Sequence, residues 1–149
     1  MSFNIISVDI IWSAEYVATG AFQSSNQQQA IKDFDAGGNM TKIIQASGGD
    51  SSKYPAAYAA LNYAPSATPA SKGKWALPTA GILNSLYTNL NAINNAISKV
   101  GGRQLTGDNE HIWSSSEYNN NNAWVFCTNN GADWGGVNNN NKDNNNNNN

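Results

Sequence analysis

The sequence from Asn119 to Asn149, NNNNAWVFCTNNGADWGGVNNNNKDNNNNNN, mixes runs of Asn with short segments of large apolar residues. Asn fills more than half of these positions, and Trp124, Phe126 and Trp134 interrupt the runs. A plain low-complexity tail has no use for tryptophan, because an aromatic side chain contributes most when it is buried. We therefore expect the apolar segments to pack as a scaffold and the Asn runs to lie on its surface.

Length and charge limit what this stretch can belong to. The chain has 149 residues, which suits one domain with its own core. Its net charge is -2 and only 12% of its residues are charged, so it offers no basic field for nucleic acid. No run of about twenty apolar residues is present, which argues against a membrane span.

The N-terminus and the single cysteine argue against a secreted protein with a signal peptide and against sites built from several cysteines. The first twenty residues lack a basic region, and Asp9 and Glu15 interrupt their apolar run, so they do not resemble a signal peptide. Cys127 is the only cysteine, which rules out an internal disulfide, a Cys-rich zinc site and a Cys-pair redox site. We expect Cys127 to be a small buried apolar residue.

The first half of the chain predicts one strand and several short helices. Ile and Val dominate Phe3 to Trp12, which suits a strand. A helix capped by Ser24 or Ser25 is expected to end at Gly37-Gly38, and a second helix is expected over Thr41 to Ala46. Pro55 suits the first position of a third helix.

The clearest predicted element is a helix from Ala80 to Lys99. Thr79 is a suitable N-cap, and Gly101-Gly102 a suitable stop. Apolar residues recur at helical spacing along it, and the expected buried set is Leu83, Leu86, Leu90 and Ile97.

After this helix the sequence changes to strand-like segments. HIWSSSEY and AWVFCT are rich in aromatic and β-branched residues, and Asn130-Gly131 is a hairpin turn signal. Helices in the first two thirds, followed by a small antiparallel sheet with long loops, predict an α+β fold.

These segments carry a family resemblance. GKWALPTAGILNSLY, GGRQL and HIWSSSEYNNNNAWVF resemble the W-x-L-P-S and W-S-S-S-E-Y pattern of C-type-lectin-like domains in bacterial and phage proteins, several of which are variable proteins of diversity-generating retroelements. The resemblance covers roughly Tyr54 to the C-terminus. The chain departs from the pattern at Ile82, where the family has Glu, and no closing V-R-P-V-like strand of the family follows Asn149. Either another segment fills the sheet edge which that strand supplies, or the sequence stops short of the strand.

The resemblance implies a single C-type-lectin-like domain over residues 1–149, with 113–149 as its variable ligand-binding region. Retroelements of this kind mutate adenines, and an Asn codon, AA followed by a pyrimidine, can change to many residue types but never to a stop. Trp113, Trp124 and Trp134 are the expected scaffold anchors, and Ala123 to Cys127, Trp134 to Val137 and Lys142-Asp143 are expected to be mostly scaffold. The expected ligand-contact positions are Asn119, Asn120, Asn121, Asn122, Asn129, Asn130, Asn138, Asn139, Asn140, Asn141, Asn144, Asn145 and Asn146.

Candidate catalytic and metal-binding residues are few. His111 has no neighbouring ligand pattern, Glu110 and Glu117 are more simply solvated or hydrogen-bonded, and Ser114 to Ser116 lack a Ser-His-Asp arrangement. We expect these serine hydroxyls to satisfy backbone groups in turns. The Glu-Pro-Asn or Gln-Pro-Asp and Trp-Asn-Asp segments of calcium-dependent lectins are absent. No catalytic residue, metal or cofactor is therefore assigned.

The resulting hypothesis is a non-enzymatic binding protein whose ligand is a protein or glycan on a cell surface. A phage tail-fibre tip is the leading setting, a bacterial cell surface or the cytoplasm is second, and a homo-oligomer is possible. One alternative is a lectin-like structural module with a disordered Asn tail, because Asn tracts alone are typical of disorder. The other is an enzyme, which either uses the Ser114 to Glu117 region or resembles formylglycine-generating enzymes, although those need a cysteine pair.

Overall fold

The computed structural model describes residues 10–102, 104–105, 111–127 and 136–143. Short helices fill the first two thirds of the described chain, and a three-stranded antiparallel sheet follows. The predicted α+β class is therefore confirmed. The elements are α1 (Gln27–Ala30), α2 (Ala36–Ser47), α3 (Pro55–Asn62), a 3-10 turn (Pro69–Ser71), α4 (Ala80–Thr88), α5 (Leu90–Lys99), β1 (His111–Glu117), β2 (Asn122–Cys127) and β3 (Gly136–Asn141).

Helix α2 runs through the two glycines at which we expected a helix to stop. Its N-cap is Asp35, whose Oδ1 accepts a hydrogen bond of 2.9 Å from Gly38 N. The glycines therefore fall in the first turn, and the buried side chains of Met40 and Ile43 stabilise the helix beyond them. The helix ends instead at Gly48, whose φ of 60° is the left-handed conformation that glycine adopts easily.

Two other predictions at the N-terminal side have different outcomes. Helix α3 begins at Pro55, as predicted. Residues 3–9 of the predicted first strand lie outside the described residues, and Ile10, Ile11 and Trp12 are not in a strand. Trp12 is nevertheless 1% exposed, so this segment does contribute to the core.

The helix predicted over Ala80 to Lys99 is two helices, which meet at Asn89. Asn89 has φ -112° and ψ 15°, outside the helical range, and its side-chain amide donates 2.8 Å to Ser85 O. A side-chain donor that takes a helical carbonyl competes with the backbone and favours a helix end. The predicted cap and stop are correct, since Thr79 Oγ1 accepts from Ile82 N at 3.2 Å and Gly101 has a φ of 69°.

The break at Asn89 changes which side chains are buried. Leu83 and Leu86 are buried at 2% and 9% exposure, as expected. The expected burial of Leu90 and Ile97 is wrong, because α5 has no buried residue and both side chains are half-buried. Leu90 and Ile93 still pack along the edge of the core cluster below α4.

The sheet has the order β1-β2-β3, and core lies on both of its faces. Alternate residues of β2 face opposite sides: Val125 packs with Trp12, Ile43 and Trp113, whereas Trp124 and Phe126 pack with Leu83, Leu86 and Leu105. The central strand is therefore sandwiched between α2 with the N-terminal segment on one side and α4 on the other. Within the described residues, no helix is long and apolar enough to cross a membrane.

Candidate ligand-binding surface

The serines of β1 lie in the interior, beside the start of α4. Ser114, Ser115 and Ser116 are each 0% exposed. Ser116 Oγ donates to Asp33 Oδ2 at 2.6 Å and accepts from Ala80 N at 2.9 Å. The hydroxyl thus connects a buried carboxylate to the N-terminus of α4, where partial positive charge favours an anion. The serines do satisfy backbone groups, but at a helix start and within a strand, not in turns.

Asp33 is the centre of this buried polar cluster. Its Oδ2 also accepts 2.8 Å from Asn39 Nδ2, and its Oδ1 accepts 3.1 Å from Asp35 N. Its main-chain carbonyl accepts from Thr79 Oγ1 and from Gly81 N. These hydrogen bonds hold the start of α4 against β1, the strand that the Asn-bearing loop follows.

The loop between β1 and β2 is a turn closed by Asn119. Asn119 Oδ1 accepts from the backbone N of Asn121 and of Asn122, both at 2.8 Å. The backbone N of Tyr118 donates 2.9 Å to Asn122 O. A side-chain oxygen that bonds the backbone two residues on is a usual way in which Asn stabilises a turn. Asn119 is therefore exposed and also stabilises the loop.

Below this loop lies a buried ion pair between Glu117 and Lys142. Both side chains are 0% exposed, and Lys142 Nζ donates to Glu117 Oε2 and, at 2.9 Å, to Val17 O. The ammonium also lies 4.5 Å from the centre of the Trp12 ring. Burial lowers the pKa of Lys142, and the Glu117 carboxylate opposes that shift.

The other oxygen of the Glu117 carboxylate is also bonded. Glu117 Oε1 accepts from the hydroxyl of Thr19 and, at 3.0 Å, from its backbone N. This cluster could not be predicted from the sequence, because Glu117 and Lys142 are far apart along the chain and their neighbours are ordinary strand and turn residues.

Burial separates the Asn positions from the residues between them. Asn119, Asn120, Asn121 and Asn141 are exposed, whereas every residue from Ala123 to Cys127 is buried, as is Lys142. Asn122 and Asn140 are half-buried. Asp143, which we expected with Lys142 in the scaffold, is exposed; its hydrogen bond to Tyr16 raises the pKa of that hydroxyl.

The remaining expected contact positions are only partly described. Asn138 and Asn139 belong to β3 by their backbone and pair with Val125 and Trp124 of β2. The other positions lie outside the described residues: Asn129, Asn130, Asn144, Asn145 and Asn146, together with Trp134 and the Asn130-Gly131 turn signal.

Two of the three expected anchors are buried tryptophans of the sheet. Trp113 and Trp124 are 4% and 3% exposed. Trp113 Nε1 donates 2.9 Å to Ile10 O, and Trp124 Nε1 donates 2.9 Å to Ser24 O. Each indole therefore fixes a different part of the N-terminal segment against the sheet.

One residue beside the Asn loop was missed from the sequence. Gln23 is exposed, and its Nε2 donates 3.2 Å to Asn120 Oδ1. The backbone on both sides of Gln23 is fixed on β1, since Glu117 N donates to Phe22 O and Ser24 N donates to Glu117 O. The exposed amide surface therefore continues from the C-terminal region onto the N-terminal segment.

The described chain, residues 10–102, 104–105, 111–127 and 136–143, has no group of three or more His, Cys, Asp or Glu side chains that could hold a metal ion. His111 is half-buried at the start of β1. Cys127 is buried, as expected, and desolvation raises the pKa of its thiol to about 11.

Comparisons with protein-family models, with curated proteins and with solved structures found no match to this chain.

Proposed function

We propose that this chain is a ligand-binding protein with a C-type-lectin-like fold, whose exposed Asn residues are the positions of a diversified recognition surface. The ligand is a protein or glycan on a cell surface, and the setting is a phage tail fibre or a bacterial surface. The protein acts by recognition and not by catalysis, as a rigid scaffold that carries replaceable side chains.

The observation that carries the proposal is the difference in burial between Asn and its neighbours. From Asn119 to Asn121 three consecutive Asn are exposed, and the next interruption, Ala123 to Cys127, is buried throughout. The same alternation recurs at Asn141, which is exposed, and Lys142, which is buried. Exposed positions tolerate most substitutions, whereas buried ones do not. An Asn run with buried interruptions is thus what a variable surface on a constant scaffold requires.

The adenine-rich Asn codon supports the retroelement part of the proposal. Under adenine-directed mutagenesis, the Asn codons, with two adenines each, change readily, and the Trp codon, TGG, does not change at all. The buried Trp113 and Trp124 would therefore persist while the surface around them varies. A reverse transcriptase gene beside this one, together with a near-copy of its 3' coding region, would support this mechanism; their absence from the genome would contradict it.

A displayed library tests the recognition surface directly. Random residues at Asn120, Asn121 and Asn141 should leave most members folded, because each such change alters stability by only about 0.5 kcal/mol. Selection against immobilised hen egg-white lysozyme should then enrich members with Tyr at these positions, since Tyr supplies contact area at low entropy cost.

The control is a matched change in the scaffold. Trp124→Ala should cost roughly 3–5 kcal/mol by leaving a cavity, enough to unfold a domain of ordinary stability. If most library members melt as early as this variant does, Asn is structural at these positions and the lectin-like structural module is the better description. Catalytic turnover by the wild-type protein that Ser116→Ala abolishes would favour the enzyme alternative instead.

A further inference from the structure

Lys142 is connected to three separate segments of the chain. Its backbone N donates 2.9 Å to Asn121 O in the loop between β1 and β2, and its carbonyl accepts from Trp12 N at 2.8 Å and Ser13 N at 3.0 Å. Its side chain reaches Glu117, at the end of β1, and Val17. Lys142 directly follows Asn141, the last residue of β3. It therefore connects the loop between β1 and β2 and the end of β3, both of which carry exposed Asn residues, to the N-terminal segment.

A buried ion pair contributes little net stability, but it restricts the conformation of the segments that it joins. Two charges taken out of water recover their desolvation cost only when the geometry is good and the remaining hydrogen bonds are made. Here the Glu117 carboxylate has Lys142 on one oxygen and Thr19 on the other. Moving Lys142 away from Glu117 would break a charge-assisted hydrogen bond, and moving the loop away from Lys142 would break the bond from Lys142 N to Asn121 O, so alternative placements of the loop are disfavoured.

We propose that Glu117 and Lys142 are positioning residues of the recognition surface: their pair fixes the loop 118–121 relative to the end of β3 and thereby sets the affinity of ligands that contact both. The inference rests on the proposed function, because it concerns the same surface. A surface held in one conformation loses less entropy on binding, and this improves affinity without any new contact.

The first experiment measures loop order without a ligand. The variant E117Q/K142M removes both charges and so avoids leaving one unpaired in the interior. Amide hydrogen exchange should show protection falling by about tenfold or more at Tyr118, Asn119 and Lys142, whose amides bond within the loop or to it. Protection at Leu83, whose amide bonds to Thr79 in α4, should not change.

The matched control is the exposed pair Lys53–Glu15, whose charged atoms are 3.2 Å apart at 37% and 41% side-chain exposure. This pair holds the same N-terminal segment, since Ala14 N donates to Lys53 O. The variant E15Q/K53M should leave exchange at the loop amides unchanged. If E117Q/K142M does not fold, the apolar variant E117L/K142M replaces it.

The second experiment measures binding. Library members selected on hen egg-white lysozyme are transferred into the E117Q/K142M background and into the E15Q/K53M background. The dissociation constant for lysozyme should rise about tenfold or more in the first background, with the melting temperature retained, and should not change in the second.

Three results would overturn the positioning role. The first is unchanged exchange at Tyr118, Asn119 and Lys142 in a folded double variant. The second is an equal loss of protection at Leu83, which indicates lost stability only. The third is failure of both E117Q/K142M and E117L/K142M to fold, which makes the pair a folding requirement. A library with no lysozyme binders would count against the proposed function, and the exchange experiment would still decide the positioning role.

Discussion

At the residue scale, neighbouring Asn residues of one loop have different roles. Asn119 and Asn121 are both exposed, but only the Asn119 side chain accepts hydrogen bonds from loop backbone groups, those of Asn121 and Asn122. The sequence did not distinguish the two, because the choice depends on how the chain turns between β1 and β2. A run of one residue type can thus include both a turn-forming position and replaceable ones.

This difference predicts unequal effects of the same substitution. Asn119→Ala should lower the free energy of unfolding by about 1 kcal/mol, as the loss of a side-chain cap on backbone groups usually does. Asn121→Ala is the matched control and should stay within about 0.5 kcal/mol of wild type. Urea unfolding of the two variants measures both values. Equal losses would show that Asn119 does not stabilise the turn.

The buried thiol of Cys127 predicts a dependence of stability on alkaline pH. Its pKa is raised from 9.0 to about 11 by burial, so the folded protein holds the proton more tightly than the unfolded chain does. The contribution of Cys127 to the free energy of unfolding is complete below pH 9 and decreases as the pH rises through 11, by about 3 kcal/mol in total.

The measurement is urea unfolding of wild type and of Cys127→Ala between pH 8 and pH 11. Other groups titrate in this range in both proteins, so the difference between the two isolates the thiol. A difference in unfolding free energy that stays constant across this range would mean that the thiol ionises as readily in the folded protein as in the unfolded chain.

At the scale of elements, the sequence predicted correctly the helix ends that depend on local signals, but not the features that depend on tertiary contacts. Thr79, Pro55 and Gly101 were identified correctly because a cap, a first-turn proline and a left-handed glycine act within a few residues. The helix break at Asn89 was missed because this stretch contains five Asn residues from Asn84 to Asn95, and only the folded chain shows that the Asn89 side chain bonds to the Ser85 carbonyl at the break. The continuation of α2 past Gly37 depends on the burial of Met40 and Ile43, and this burial cannot be predicted from the neighbouring residues in the sequence.

The break at Asn89 makes a testable distinction between two leucines of the same apolar stripe. Leu86→Ala should cost about 2–5 kcal/mol, because Leu86 is buried in the cluster with Trp124 and Phe126. Leu90→Ala should cost clearly less, since Leu90 is half-buried at the edge of that cluster. Thermal melting compares the two variants. A similar loss for both would indicate one continuous buried face, as the sequence suggested.

At the scale of the whole molecule, the candidate surface was easier to predict than the groups that support it. Exposure of the Asn loop followed from composition and from the tryptophans beside it. The Glu117–Lys142 pair and the Asp33 cluster could not be inferred, because each joins residues that only the folded chain brings together. Buried charges are also rare, so a surface location was the reasonable expectation for Glu117.

The molecule as a whole predicts where related copies of the gene should differ. Variation should concentrate at Asn120, Asn121 and Asn141, should be lower at the turn-forming Asn119, and should be lowest at buried positions such as Trp124. Deep sequencing of a population provides the measurement. Differences spread evenly over the exposed Asn positions, the helices and Ala123 to Cys127 would contradict the proposed variable surface.

The burial of Lys142 also has a genetic consequence. A lysine codon is AAA or AAG, so under the proposed mutagenesis it is altered at least as readily as the Asn codons around it. Replacement of Lys142 leaves the Glu117 carboxylate in the interior without its cation. Each round of the proposed diversification would therefore produce some defective proteins. Freshly copied, unselected DNA should contain changes at codon 142, and copies recovered from functional particles or cells should lack them.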